Sequence, residues 1–341
     1  MKKIAVVILN WNGKSFLERF LNTLITNTDS ELAEICIIDN NSKDDSVNYL
    51  KINYPNLKLI ILDKNYGFAG GYNIGLKEIQ AEYFLLLNSD IEVPKDWLNP
   101  LYEIMKSDTS IGICGPKLLN YNNHELFEYA GASGGFIDKY AYPFCRGRIF
   151  VHCEKDEGQY NDTTDCFWIS GAAMMIRSDL FFKAGGFDEI FFAHQEEIDL
   201  CWRIQNLGYR VVIQPKSVVY HIGGGTLPKS NHYKTFLNFR NNLFIIEKNI
   251  PKYKRNKVKF VRLFADQIAL YRMILQGRFA EAFSVIKAYF HFWYFSKQMS
   301  KQRKIIKPKS VKYLKGYYNH SIVKDYFLLK KKRFSDLNFD K

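Results

Sequence analysis

Paired cysteines, long apolar runs and nucleotide-loop glycine fingerprints are what this 341-residue sequence lacks. Its six cysteines, at 36, 114, 145, 153, 166 and 201, form no CxxC pair and no short Cys/His ligand spacing, which argues against a structural zinc site or a disulfide scaffold. A reduced, cytoplasmic compartment is the expectation. No 18 apolar residues follow one another, and the best stretch, 280–295, is broken by Glu281, Ser284, Lys287 and His291. A spanning helix is therefore not expected, and any membrane contact would be at the surface. Two lysines and six apolar residues precede Asn10, too few for the h-region of a signal peptide, so secretion is not expected either. Acidic residues are scarce in one place only. From Pro251 to the end there are 23 Lys/Arg against 5 Asp/Glu, whereas the first 250 residues hold 25 against 30, so the net +13 is a −5 body with a +18 tail. No nucleic-acid-binding module accompanies that charge, and nucleic acid is not an expected partner.

The residues that are present describe a packed protein, 47% hydrophobic and 16% aromatic. Apolar runs at 4–9, 34–39, 57–62 and 83–88 alternate with helical patterns at 14–25, 42–51 and 69–79. That alternation predicts βαβ units, an α/β fold with a mainly parallel sheet whose strands are covered on both faces. Ligands of such sheets sit beyond the carboxyl ends of the strands, and each run here ends in polar residues. Residues 111–164 read as irregular strands and loops across the sheet edge. A second ordered block comes after them, with a helix over 196–207 that stops at Gly208, a strand over 210–214 and a helix over 233–248. The expected division is a catalytic domain over 1–250 and a basic, aromatic, helical extension over 251–341.

Several strand-end residues have chemistry suited to a site. Asn88-Ser89-Asp90 follows a buried strand, where a carboxylate can hold a hard divalent cation or merely form a turn. Asp39 can accept hydrogen bonds from a base or ribose, or cap the next helix. Gly67, Gly70 and Gly71 open a helix; their G-x-x-G-G spacing matches neither the dinucleotide fingerprint nor a Walker A loop, since no GK[ST] follows. They can admit a phosphate or sugar, or allow tight helix packing. Glu196, Glu197 and Asp199 place three carboxylates on the first turn of a helix, beside Phe191, Phe192 and Trp202. The macrodipole explains one or two of them, and an aromatic wall would desolvate a carboxylate toward a general base. His221 precedes the glycine run 223–225 and is a candidate metal or phosphate ligand.

Taken in order, VVILNWNG, IIDNNSKDDS, NYGFAGGYNIGL, LLLNSD, ISGAAMMIR, GGFDEIFFAHQEEIDLCWR and His221 before its glycines resemble the family 2 glycosyltransferases of GT-A fold, in particular their rhamnosyltransferase-like branch. The resemblance covers about residues 3–245. It implies inverting transfer of a sugar from a nucleoside-diphosphate sugar, dTDP-rhamnose or a UDP-hexose, to an acceptor hydroxyl with Mg2+ or Mn2+. It assigns Asn10 and Asn12 to the nucleotide end, Asp39 and Asn40 to base and ribose, and Asn65, Gly70, Gly71 and Asn73 to the donor. Asn88 stands where the family's DxD motif has its first acid, which leaves Asp90 as the metal contact, with His221 completing the shell. Glu197 takes the base position of an acid-Asp-x-Asp motif, flanked by Glu196 and Asp199.

The tail supports two expectations. Its basic, apolar segments over 252–295 suit an anionic membrane surface and a lipid-linked glycan acceptor, which would put the protein at the inner face of the plasma membrane. The competing expectation is a helical subdomain or homodimer contact with a solvated basic face. The same fold could also serve as a non-catalytic sugar-nucleotide binder.

Overall fold

The computed structural model describes residues 2–223, 232–306 and 308–339. Strands β1 (Ile4–Asn10), β2 (Ala33–Asp39), β3 (Lys58–Ile61) and β4 (Tyr83–Leu87) form the expected parallel half of the main sheet, in the order β3-β2-β1-β4. Their side chains alternate between two cores. Ile4, Val6 and Ile8 face α1 (Lys14–Asn27), whereas Ala5 and Val7 join the core of α3 (Gly67–Gly75), a division set by the two-residue period of a strand. Helix α2 spans Ser46–Asn53 and starts four residues later than its pattern predicts. Ser42 is held in a turn by Asp39, with hydrogen bonds from Ser42 N at 2.9 Å and Ser42 Oγ at 2.6 Å.

The other half of the sheet is mixed. Beyond β5 (Ile91–Glu92) and α4 (Asn99–Ser107), strand β6 (Ile111–Asn120) enters the middle of the sheet, with β7 (Asn123–Phe127) folding back on it. This corrects the edge position expected for 111–164. Chain 135–153 builds a second sheet instead, from β8 (Gly135–Asp138), β9 (Pro143–Cys145), β10 (Arg148–Ile149) and β11 (His152–Cys153). The main sheet resumes with β12 (Thr164–Asp165) and with β13 (Ala173–Arg177), antiparallel between β4 and β6. Then come α5 (Ser178–Lys183), α6 (Glu196–Asn206) and β14 (Arg210–His221). Gly208, at φ +99°, turns the chain after α6 as its sequence signal predicts. Strand β14 is longer than the expected 210–214 because a register shift between Gln214 and Val218 accommodates Pro215 and lets pairing with β6 resume.

Helix α7 (His232–Asn249) leads through Pro251 into a hairpin of α8 (Lys252–Leu275) and α9 (Phe279–Ile306), turned at Gly277. The extension is not helical throughout. Strand β15 (Tyr317–Tyr318) pairs in parallel with β8, α10 (Ile322–Phe327) comes next, and Ile322 N donates to Asp138 Oδ2 at 3.0 Å. Phe334 and Phe339 then pack against Phe136, tilted and edge-on, with ring centroids 4.7 and 5.4 Å away.

Candidate active site

The carboxyl ends of β1 and β2 are tied by buried polar groups. Asn10 Nδ2 donates to Asp39 Oδ2 at 2.9 Å and to Ser42 Oγ at 3.1 Å, leaving Asn10 Oδ1 buried with no hydrogen bond. Asn12, at φ +51°, accepts from Lys43 N at 2.7 Å. Asp39 thus organises a turn and caps no helix. Asn40 bridges to the next loop, donating to Asn65 Oδ1 and Gly67 O at 3.0 Å each and accepting from Tyr66 N. The glycines pack closely. Gly67 has φ +71°, and a Cβ there would stand 2.6 Å from the Phe192 ring; one at Gly71 would stand 2.7 Å from Leu9. Gly70 lies against Tyr66. Asn73 stands apart from this group. Its amide donates to Phe187 O at 2.8 Å and accepts from Phe187 N at 2.9 Å, so it holds the 187–189 turn and does not face the strand ends.

Past β4, Asn88 N donates to Ala172 O at 2.9 Å, which sets the loop before β13 beside the Asn88-Ser89-Asp90 turn. His221, at the end of β14, pairs with Ile91 of β5, and this register brings its imidazole to Asp90. Nε2 lies 3.2 Å from Asp90 Oδ1, and Nδ1 lies 3.4 Å from Glu128 Oε1. All three side chains are buried. Burial disfavours the imidazolium, but the Glu128 and Asp90 carboxylates outweigh it and raise His221 to about 10. Neither ring nitrogen is aligned for a hydrogen bond. Among the described residues no three His, Cys, Asp or Glu side chains converge as a finished metal cage. Asp90 and His221 nonetheless fit a divalent cation, because their facing atoms are separated by about the distance between adjacent ligands bonded at roughly 2.1–2.3 Å. Asp90 and Glu128 on either side of the imidazole favour positive charge at this place, and His221 would bind a cation as the neutral ring, its proton displaced. Gly223 closes over Glu128, and residues 224 and 225 of the glycine run lie outside the described residues.

The three acids of α6 have three different environments. Asp199 is fully buried: Lys248 and Arg203 each meet its Oδ2 at 2.8 Å, and Asn249 donates to Oδ1 at 2.7 Å. Burial alone would raise its carboxyl, but Lys248 and Arg203 overcome that and hold it at about 2. It is a structural anion. Glu196 is buried with Oε2 unpartnered, and desolvation followed by the nearby Glu197 charge pushes it well above the carboxylate range. Glu197 is half-buried, and desolvation raises it to about 7 against opposing backbone hydrogen bonds. Its neighbour is Phe68: a Cβ on Gly171 would meet the Phe68 ring at 3.2 Å and Glu197 Cβ at 3.9 Å. The aromatic wall expected from Phe191, Phe192 and Trp202 is dispersed. Phe191 packs on Phe244, Trp202 on Phe167, and Phe192 over Gly67.

The loop presenting these acids is strained. Phe192, His194 and Gln195 have φ of +64°, +68° and +70°, a left-handed run rare for side-chain-bearing residues and a mark of functional loops. Helix α7 holds it: Asn241 Nδ2 donates to Ala193 O at 2.8 Å and His194 O at 2.6 Å, and Arg240 Nη2 donates to Phe191 O at 2.8 Å. Phe68 N adds a bond to Phe192 O at 2.8 Å. Glu128, Arg240 and Asn241 were not among the expected site residues. Glu128 is a lone acid with no spacing signal, but the amide-rich run 238–242 inside a helix, poor in helix formers, pointed to side chains with another task.

The sequence model described as glycosyl transferase family 2 matches residues 5–181, more than half of the chain. The chain belongs to glycosyl transferase family 2. Among relatives of this family 2 chain, the low-salt glycan biosynthesis hexosyltransferase Agl10 of Haloferax volcanii is 23% identical over 268 residues, covering 76% of this chain and 80% of the relative. The N-acetylglucosaminyl-diphospho-decaprenol L-rhamnosyltransferase of Mycobacterium tuberculosis is 22% identical, covering 64% and 75%. The crystal structure of GalNAc-T7 with UDP, GalNAc and Mn2+ is similar with a TM-score of 0.60 at 20% identity over 92% of this chain. The chain spans 56% of that structure's length. The likeness establishes the GT-A fold. Within the family 2 chain, the matched segment carries Asn10 through Asp90, whereas Glu196, Glu197, Asp199 and His221 lie beyond it.

Proposed function

We propose that this chain is an inverting glycosyltransferase that moves a sugar from a nucleoside-diphosphate donor, dTDP-rhamnose or a UDP-hexose, to a hydroxyl of a lipid-linked glycan. One observation carries the reading. Glu197, raised to about 7, sits next to Gly171, and the neighbouring Ala172 is hydrogen-bonded to Asn88 of the turn that ends in Asp90. A base poised near neutral pH and an anchor for diphosphate charge therefore share one strand edge.

Glu197 takes the proton of the acceptor hydroxyl, whose oxygen attacks the anomeric carbon as the nucleoside diphosphate departs from the opposite face. The acceptor C–O bond forms as the sugar-to-phosphate bond breaks. Asp90 and His221 would hold Mg2+ or Mn2+, and a cation there offsets the charge growing on the leaving diphosphate. Asp39 and Asn10 orient the nucleoside, and Asp199 fixes the helix that carries the base. The extension beyond 250 is assigned to the inner membrane surface, where a lipid-linked acceptor is reached.

Incubation with a donor panel and Mg2+ or Mn2+, followed by proton NMR of the product, tests this reading. Inverted anomeric configuration is expected. Retained configuration would overturn the inverting displacement, and no turnover of any donor would leave a binder of the same fold.

A further inference from the structure

Helix α8 is built inside out. Its inward stripe is Val258, Arg262, Asp266 and Leu270, spaced by four. The two central residues are charged and buried: Arg262 lies over the Tyr142 ring at 3.7 Å, and Asp266 accepts from Tyr289 at 2.8 Å and from Arg262 at 3.2 Å. Two positions along, about 200° around the helix, Phe260, Phe264, Ile268, Tyr271 and Leu275 form a stripe exposed to water, Leu275 by 88%. An ordinary surface helix has the opposite arrangement.

Helix α9 repeats the pattern after the turn at Gly277. Phe279, Phe283, Phe290, Trp293 and Tyr294 are exposed, Trp293 by 77%, while Ser284, Val285, Ala288 and Met299 face inward. Near the turn, Leu275 and Phe279 flank a tip that also exposes Ile274 and Phe283. Such a continuous apolar surface requires a cover.

The charge identifies the cover. Residues 252–306 contain 13 Lys/Arg and 2 Asp/Glu. Asp266 pairs with the buried Arg262, Glu281 with Arg278 at 3.1 Å, and Glu247 of α7 with Arg255, Lys259 and Arg303, which leaves eight of the 13 cations without an acidic partner among the described residues and the hairpin surface positive. A second copy would set this charge against itself. Nucleic acid would take the cations but leave Ile268, Ile274 and Leu275 in water. An anionic bilayer matches both, with acyl chains for the apolar stripe, phosphates for Lys and Arg, and the interface for Trp293 and Tyr294. Among the described residues no helix is long and apolar enough to cross a membrane, so this contact lies in the interface.

We propose that the α8–α9 hairpin is a membrane-docking element whose outward apolar stripes and Gly277 tip enter the interface of an anionic phospholipid bilayer. The inference deepens the membrane placement proposed above and rests on that reading. Flotation of the full chain, without sugar substrates, on vesicles of phosphatidylcholine alone or with phosphatidylglycerol tests it. The wild-type chain is expected to float with the anionic vesicles and to lose binding as salt rises. Combining Phe264→Ser, Ile268→Ser, Leu275→Ser and Phe279→Ser, all at exposed positions, is expected to lower partitioning by about tenfold or more at an unchanged melting temperature. Equal flotation of both chains would overturn the hairpin's role while leaving membrane placement intact. No flotation of the wild-type chain would overturn both. A dimer seen by light scattering in the wild type and lost in the variant would make the stripe a self-interface and overturn the proposal as well.

Discussion

The parallel half of the sheet and the α8–α9 hairpin follow opposite rules. In β1, β2 and β4 the apolar side chains are buried or half-buried, and apart from Glu34 the charged and amide residues stand at the carboxyl ends, Asn10 and Asp39 in the strands and Asp90 just past β4. In α8 an ion pair is buried and the aromatic residues face out. Polar atoms go where a partner waits for them, and apolar ones where water is excluded. The sheet supplies both conditions internally, whereas the hairpin meets only the first and leaves the second to its surroundings.

The largest effects are expected where a buried charge loses its partner. Asp199→Ala leaves Arg203 without a carboxylate and takes from Lys248 one of its two, Asp188 remaining at 2.7 Å, and Asp266→Ala strands Arg262; each should cost about 3–5 kcal/mol in denaturant unfolding. If Asp266→Ala is neutral, the inward face of α8 is not what holds it. The Asp199 contribution also has a sign in pH. Its folded value of about 2 lies below the ordinary 3.8, so its stabilisation is complete above about pH 4 and lost as pH falls toward 2. Unfolding curves of wild type and Asp199→Asn should converge in that window.

Next in size is chemistry at the strand edge. Glu197→Gln should lower kcat by roughly 10²-fold or more, about 2.7 kcal/mol, with donor affinity preserved in calorimetry. Glu196 is buried, pushed above the carboxylate range and has an Oε2 with no hydrogen bond, so Glu196→Gln keeps its shape and kcat should stay within a few-fold. The reverse outcome would move the base to Glu196. Because Glu197 must be ionised to accept a proton, the wild-type rate should rise through about pH 7 and level off above it.

Smaller effects sharpen the contrast between packed and open faces. Gly67→Ala meets Phe192 and a φ of +71°, and should cost about 1–2 kcal/mol in thermal unfolding. Phe264→Ser on the outward stripe should change stability by less than about 0.5 kcal/mol in detergent-free buffer, unlike any Phe of the core. A loss of several kcal/mol would mean that Phe264 is packed after all.

Much of this was legible in the residues because parallel strands declare themselves. Runs such as IAVVIL and YFLLL have nowhere to go but a doubly covered sheet, and the polar residues just after each run must then lie at its carboxyl edge. The Gly208 stop was equally readable. The central position of β6 was not, since apart from β7 the partners of Ile111–Asn120 are β13 and β14, which come much later in the chain. Glu128 reaches His221 by the same kind of long-range closure. Three adjacent acids could be recognised as a site, but their separate environments depend on Lys248, Arg203 and Phe68, which no spacing announces. For α8 the sequence displays two faces and leaves unstated which one points inward.

The return of the chain end has a mechanical meaning. Residues 308–339 are stitched to the second sheet by β15 and by Phe334 and Phe339, so the hairpin is fastened at both of its ends. It is a bracket and not a tether. A tether of equal composition would hold the enzyme near a surface yet leave it free to swivel, whereas a bracket presents the same aspect of the molecule at every landing.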